Sequence, residues 1–336
     1  MRAVVIHEFG PIENHKVEEW PDPTIGPDEV LIETRAIGIN YPDALMLRGL
    51  YQKRAPVPFV PGRDMAGVVR EVGSEVTRCK PGDRVVAQVF TGAFGELTAA
   101  PQKRCFPLPD DMPFEAAAAM ITPFNTAWIA VDVRGQVTEG ETVMVTGAAG
   151  GVGLAAIQFL KARGARVLAA VSTPEKGKLA MDNGADALVD TNASDLRELK
   201  DHLKAQVAEI TGAKEGRGCD VVIEAVGGDL FEASMRVLNF GGRLVIVGFA
   251  GGTIPAPKAN YLLYNNISII GAPLDIRFEE AYDQIEAAVA ETGRLYVAGK
   301  AKPNITATMP LDDFHEAFDA MIGRQMMGKI VLTVGT

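Results

Sequence analysis

The stretch ETVMVTGAAGGVGLAAIQFLKARGARVLAAVS, residues 141–172, constrains the fold more than any other part of the chain. Residues 142–146 are a short run rich in β-branched side chains, the composition of a buried parallel strand. A glycine cluster, Gly147 to Gly153, follows at once. Residues 154–163 carry apolar side chains at helical spacing and stop at Gly164, a common helix terminator. Residues 166–171 read as a second apolar strand. Strand, glycine turn, helix and strand in this order form a βαβ unit, the phosphate-binding part of a Rossmann fold.

The glycines have a physical reason. A pyrophosphate must lie against backbone N–H groups at the start of the helix, where the helix dipole favours negative charge. Side chains at Gly150 and Gly151 would hold it away, and Gly153 lets the helix pack on the strand. The first glycine of the usual pattern is Ala148 here, so the match is A-x-G-x-x-G with the correct flanks. Sites for NAD place Asp or Glu at the end of the second strand, to hold the ribose 2′-OH. That strand ends Ala170-Val171-Ser172, with no acid. Ser172 can hydrogen-bond a 2′-phosphate, and Lys176 and Lys178 follow on the next helix. A missing carboxylate with cations nearby favours NADPH, although lysines on a helix are more often simply solvated.

With 336 residues the chain is expected to form about two domains. A net charge of −10 and no basic block argue against nucleic acid or an anionic membrane as partner. The N-terminus does not read as a signal peptide and no apolar run is expected to reach membrane-spanning length, which makes the cytoplasm the expected location. Cys79, Cys105 and Cys219 lack C-x-x-C spacing and read as reduced structural residues.

Residues 1 to about 120 read as short strands (1–7, 30–39, 65–72 and 84–89) punctuated by Gly and Pro, a small barrel-like domain. Helices are expected over 114–120 and 121–133. From residue 138 strands and helices alternate. Strands are expected at 187–190, 219–225, 242–247 and 266–270, with helices at 196–211, 231–238, 278–291 and about 312–322, and a closing strand at 329–334. The fold class is α/β, a β-rich domain with a doubly wound parallel sheet.

The segments AIGINYPDALMLRGLY, VPGRDMAGVVREVG, KPGDRVVA, TGAAGGVGLAAIQFLKARGA, CDVVIEAVGG, GGRLVIVGFAGG, NNISIIG and GKIVLTV carry a resemblance along nearly the whole chain. It resembles the zinc-free NADPH:quinone oxidoreductases (zeta-crystallin-like) among the medium-chain dehydrogenase/reductases. The resemblance implies a GroES-like catalytic domain over 1–122, a Rossmann domain over 123–262, and a segment 263–336 that adds the Rossmann edge strand and returns to the catalytic domain. It also implies a homodimer, or a tetramer, built by pairing the Rossmann edge around residues 266–270.

Zinc-dependent relatives have a Cys where this chain has Asn40, and a His-Glu pair where it has Arg63-Asp64. The cysteine lobe for structural zinc is missing, and His7, His15, His202 and His315 lie outside these motifs. No metal is therefore expected. Without a Lewis acid, the expected acceptor is one that is already electron-poor, a quinone or an α,β-unsaturated carbonyl reduced by hydride from NADPH. The resemblance points to Asn40 first, then Tyr51, then Tyr41 as catalytic groups. For each tyrosine, packing with its hydroxyl satisfied locally is the commoner role. Arg63 could bind a substrate anion or pair with Asp64. The resemblance implies cofactor contacts at Thr126, Gly150, Gly151, Val152, Ser172, Lys176, Val226, Phe249 and Lys329. Phe90, Phe124, Asn125, Leu262 and Ala272 are the expected substrate pocket. Thr191 stands where many relatives have a tyrosine. Two other functions share these features: a 2-enoyl thioester reductase, and a non-enzymatic NADPH-binding protein.

Overall fold

In the computed structural model, which describes residues 1–323 and 327–335, the strand–helix alternation after residue 138 closes into one parallel sheet. Its six strands are Thr142–Val145, Arg166–Val171, Ala187–Asp190, Cys219–Glu224, Leu238–Ile246 and Ser268–Gly271. Numbered in that order they lie side by side as 3-2-1-4-5-6, the doubly wound Rossmann arrangement. The strands are apolar throughout because helices cover both faces of such a sheet. Val143, Met144, Val145, Val221 and Val222 have no exposed surface. One side is filled by Phe231, Leu203, Leu238, Leu244 and Val189. The helix Leu196–Thr211 shows how sequence selects packing. It buries Leu199, Leu203 and Val207, four residues apart on one face, starts at an Asp195 side chain that accepts from Glu198 N, and ends at a left-handed Gly212.

This sheet belongs to the compact unit Pro123–Ala301; the other unit is Met1–Thr122 with Lys302–Thr336. The second unit is built on a seven-stranded sheet. Its long central strand, Glu29–Gly38, pairs antiparallel with Asp64–Val72, Leu97–Pro101 and the C-terminal strand Lys329–Thr333. Arg84–Gln88 and Cys105–Pro107 continue one side; Ile305–Pro310 lies beyond the C-terminal strand on the other. Phe94, Phe314, Phe318, Ile6, Ile37, Leu47 and Met65 form its core.

Several expectations are corrected. Residues 114–128 form one helix, Phe114–Trp128, that continues as a π-turn over Ile129–Arg134, where two helices were expected. Pro123 lies inside it without ending it. This segment, Phe114–Arg134, is also long and apolar enough by length and composition to cross a membrane, against the expectation that no run would be; 78% of its apolar window is buried inside the protein. Residues 41–47, where no element was expected, are the helix Tyr41–Leu47. The fifth strand of the parallel sheet begins at Leu238, because the preceding helix ends at Ser234 and closes in a 3-10 turn over Met235–Val237.

Phe94 has no exposed surface, and its ring centroid is 5.9 Å from that of Phe318. Phe94→Ala should lower the unfolding free energy by about 3–5 kcal/mol, because a large buried ring leaves a cavity that its neighbours close only in part. Urea unfolding curves measure this; a loss below about 1 kcal/mol would mean that the site collapses freely.

Candidate functional site

The polar residues singled out from the sequence gather in two groups, one in each unit. The first is the glycine turn of the parallel sheet. The helix Gly151–Ala162 begins at Gly150, and no side chain caps it. Its first N–H groups therefore lack intrahelical partners and face outward over an exposed Gly147 and Gly150. A Cβ on Gly153 would lie 2.3 Å from Gly147 O and 2.7 Å from Ala148 Cα. Gly153 is thus required by helix-to-turn packing. A Cβ on Gly150 would meet only Gly147 O, at 3.3 Å, so its outer side is open to an incoming phosphate.

Two further loops converge on this turn. A Cβ on Gly147 would lie 3.3 Å from Val226 Cγ2, and one on Gly227 3.3 Å from Phe249 Cδ1. Gly251 N donates to Val226 O (2.8 Å). Beneath the loops sits Glu224, a carboxylate with no exposed surface that sequence reasoning missed. It accepts from Thr146 Oγ1 (3.0 Å), Val226 N (2.9 Å) and Gly227 N (3.0 Å). Thr146 Oγ1 in turn accepts from Ala225 N (3.0 Å). Glu224 thereby locks the end of one strand to the end of its neighbour. Burial raises its carboxyl above the ordinary value in spite of these donors. The signal was available: an acid ends the otherwise apolar run CDVVIEA.

At the end of the second strand Lys176 Nζ donates to Ser172 Oγ (3.4 Å), and Asn192 Nδ2 to Ser172 O (2.8 Å). Ser172 and Lys176 are therefore together, as expected. Lys178 is not with them; it pairs with Asp182 (2.6 Å) on the exposed helix face. An open glycine turn, an uncapped helix start and a hydroxyl–ammonium pair where a 2′-phosphate would lie fit a phosphorylated dinucleotide.

Of the other residues in this unit, Thr126 is buried on the helix Phe114–Trp128. Phe124 stacks edge-on against Phe159 at 5.8 Å, and Asn125 is buried with its Nδ2 unpartnered among the described residues. Leu262 packs against the core of the parallel sheet, and Ala272 is buried with its N–H given to Ile246 O (2.9 Å).

The second group lies in the unit containing both termini. Asn40 precedes the helix Tyr41–Leu47, which starts there because Pro42 and Asp43 suit the first turn. Asn40 N donates to Asp43 Oδ2 (2.7 Å). Its side chain is fully used: Nδ2 donates to Asp64 Oδ2 (2.8 Å) and Gly38 O (3.2 Å), while Oδ1 accepts from Lys329 Nζ (2.8 Å). Lys329 Nζ also donates to Ile39 O. Thr122 Oγ1 donates to Asp64 Oδ1 (2.6 Å) and accepts from Gln88 Nε2. Arg63 Nη1 donates to Tyr51 OH (3.1 Å), with the guanidinium 5.7 Å from the tyrosine ring centroid. Tyr41 is the exposed first residue of its helix, and Phe90 carries Lys53 Nζ over its ring at 4.7 Å.

The cluster holds two carboxylates, Asp43 and Asp64, and two cations, Arg63 and Lys329, all buried. Burial raises both carboxyls, Asp43 to about 7 with the charge of Asp64 adding to it, and lowers the Lys329 ammonium. Sequence reasoning missed Asp43, although N-x-x-D before an apolar helix is a helix-start signature. Lys329, expected at the cofactor, is placed with Asn40 in this unit. At the positions where zinc relatives hold their ligands the chain thus has an amide, a guanidinium and a carboxylate knit around an ammonium. Among the described residues no group of three or more His, Cys, Asp or Glu converges as metal ligands would.

Two family models match the chain: the alcohol dehydrogenase GroES-like domain over residues 26–110, and the zinc-binding dehydrogenase over residues 151–291. The chain is 34% identical over 319 residues to quinone oxidoreductase-like protein 2 of Rattus norvegicus, covering 95% of this chain and 88% of that relative. It is 32% identical over 335 residues to quinone oxidoreductase of Homo sapiens, covering 99% and 97%. Among solved structures it is similar to the Escherichia coli quinone oxidoreductase complexed with NADPH, with a TM-score of 0.89, 27% identity and 99% and 100% coverage.

The raised Asp43 carboxyl predicts a pH effect on stability. Its folded value, about 7, lies above the ordinary 3.8. Between these the folded protein holds a proton that the unfolded chain releases, so this residue's contribution falls as pH rises through the window and levels off above it. Asp43→Asn should therefore show a weaker decline of its unfolding midpoint between about pH 4.5 and 7.5 than the parent chain. An unchanged pH slope in urea melts would mean that Asp43 is ionised throughout.

Proposed function

The chain belongs to the quinone oxidoreductase family of the medium-chain dehydrogenase/reductases and is an oxidoreductase; we propose that it transfers hydride from NADPH to a quinone or an α,β-unsaturated carbonyl without a metal. The observation that carries the metal-free part is the ammonium of Lys329, hydrogen-bonded to Asn40 within the Asp43–Asp64 cluster. NADPH, when bound, supplies the hydride. Gly150, Gly151 and Val152 offer backbone N–H groups to its diphosphate, and Ser172 and Lys176 take the 2′-phosphate. Val226 and Phe249 flank the turn, and Thr126 belongs to the same binding surface. Asn40 fixes Lys329 and Asp64, since both its N–H groups are already donated. Tyr51 is the hydroxyl that serves the acceptor. Phe124 and Asn125 contribute to the acceptor pocket in this reading.

Two copies are proposed to pair through the edge strand Ser268–Gly271, whose one neighbour in the sheet among the described residues is Leu238–Ile246. Phe240 on the neighbouring strand, and Leu263 and Tyr264 just before the edge strand in sequence, are 80%, 85% and 89% exposed and would be covered. Light scattering on the purified protein should give the mass of two chains; a mass of one chain would remove the pairing.

NADPH oxidation by the purified protein, with NADH run beside it, tests the main reading. The acceptors are an ortho-quinone, a para-quinone, a simple enone and a crotonyl thioester. Turnover of a quinone or the enone with NADPH preferred is the expected result. Silence toward all four despite tight NADPH binding would favour a non-enzymatic role. Lys176→Ala should weaken NADPH about 10- to 100-fold and leave NADH nearly unaffected, as loss of a charge-assisted hydrogen bond predicts. An equal effect on both cofactors would remove Lys176 from the 2′-phosphate.

A further inference from the structure

We propose that Cys79 and Cys105 form a reversible redox pair: a peroxide oxidises Cys79, and Cys105 closes a disulfide onto it. Both lie in the unit that contains the chain ends. Cys79 is in the loop between the strands Asp64–Val72 and Arg84–Gln88. Cys105 opens the strand Cys105–Pro107 and pairs with Ala87 of Arg84–Gln88. No spacing in the sequence joins the two cysteines; the fold does. Cys79 packs against the core that includes Cys105, and the two thiols are in hydrogen-bond contact.

Gln102 accounts for the approach. Its Oε1 accepts from Thr77 N (2.9 Å) and Arg78 N (3.3 Å), and its Nε2 donates to Glu75 O (3.1 Å). Gln102 begins the 3-10 turn Gln102–Arg104 that runs directly into Cys105. One amide thus staples the segment before Cys79 to the segment before Cys105. Beyond Cys79, Lys80 N donates to Asp83 Oδ2 (2.9 Å) and Gly82 N to Val69 O (2.8 Å), so the loop is held on both sides of the cysteine. A disulfide needs its sulfurs about 2 Å apart, and thiols already in contact reach this by side-chain rotation and a small loop shift.

The two thiols are unequal in the way a redox pair requires. Cys79 is half-buried and open to a small oxidant, while Cys105 is 1% exposed. The hydrogen bond from Cys105, helped by the charge of Arg78, lowers the Cys79 thiol below its ordinary value against burial and the charge of Asp83. The same bond and burial hold the Cys105 thiol well above its own. Pro101 O, 3.6 Å from Cys105 Sγ, is a second acceptor for that proton. The thiolate is the nucleophile, so Cys79 reacts first and Cys105 resolves.

The Cys79 thiolate attacks one oxygen of the peroxide. An S–O bond forms, the O–O bond breaks, and the departing hydroxide leaves as water with the proton that Cys79 released. The Cys105 sulfur then attacks the Cys79 sulfur of the sulfenic acid. The S–S bond forms, the S–O bond breaks, and hydroxide leaves as a second water with the proton of Cys105. Two thiols lose two electrons and the peroxide gains them. A dithiol reverses the bond by exchange. The disulfide closes a loop of about 25 residues, which restricts the unfolded chain.

The test uses the full chain, reduced, freed of reductant and treated while folded with hydrogen peroxide. Titratable thiols should fall from three to one, since Cys219 has no exposed surface. A non-reducing peptide map should show Cys79 linked to Cys105, and dithiothreitol should restore all three thiols. The oxidised chain should unfold at higher urea than the reduced chain. Cys105→Ser should stop at a Cys79 sulfenic acid that dimedone traps. Cys79→Ser should slow the loss of the Cys105 thiol at least about 10-fold. A parent chain that keeps its thiols, carries Cys79 as sulfinic or sulfonic acid with Cys105 still free, or links either cysteine to Cys219 would overturn the proposal. Equal reactivity of Cys105 with and without Cys79 would overturn the order of the two steps.

Discussion

Two carboxylates with no access to water, Asp43 and Asp64, set the terms for the unit that contains both chain ends. An ionised carboxyl in such a place is tolerated only with cations and hydrogen bonds at hand. The chain supplies them from distant segments. Asp64 opens one strand, Arg63 precedes it, Asn40 sits before a helix, and Lys329 begins the last strand. Lys329 Nζ bonds Asn40 Oδ1 across 289 positions of sequence. The return of the C-terminal segment to the first 122 residues is thus more than strand pairing. Without Lys329 the carboxyls would lose a compensating charge, a loss on the order of 3–5 kcal/mol in buried pairs.

The parallel sheet solves the opposite problem. Its glycine turn must leave backbone N–H groups unsatisfied so that a ligand can take them, and yet stay fixed. Glu224 does the fixing. Its carboxylate takes the N–H groups of Val226 and Gly227 and the hydroxyl of Thr146, and it leaves those of the helix start at Gly151 alone. One acid below the loops stabilises their geometry while the donors above remain uncommitted. The close approach of Gly153 to Gly147 O fixes the helix axis relative to the turn.

The parallel sheet was legible because its signals are local and repeated. Buried parallel strands are apolar runs, the helices Pro174–Asp182 and Leu196–Thr211 carry their own caps, and the glycine turn has a fixed spacing. Ala187–Asp190 and Leu196–Thr211 lie where the pattern put them. The helix Tyr41–Leu47 was not legible as a helix, since seven residues give barely two turns of periodicity. The short strands Lys16–Glu19, Cys105–Pro107 and Ile305–Pro310 were missed for the same reason. Motifs named Asn40, Tyr51 and Arg63 as polar residues of interest. Their partners were invisible because hydrogen bonds spanning 24 or 289 positions leave no mark on local composition. Lys178 shows the converse: next to Lys176 in the motif, it lies on the solvated helix face with Asp182.

The chemistry proposed for the chain follows from how its cations are bound. A metal ion with an open coordination position can take a substrate oxygen directly and polarise it. The ammonium of Lys329 is given over to Ile39 O and Asn40 Oδ1, with Asp64 and Asp43 as its countercharges. It stabilises the site without being able to ligate a carbonyl. Activation must then come from the acceptor itself, through conjugation that spreads the incoming electron pair, and from a proton delivered where that pair comes to rest. Arg63 is the cation in the cluster that extends a donor to a side chain on its edge, the hydroxyl of Tyr51.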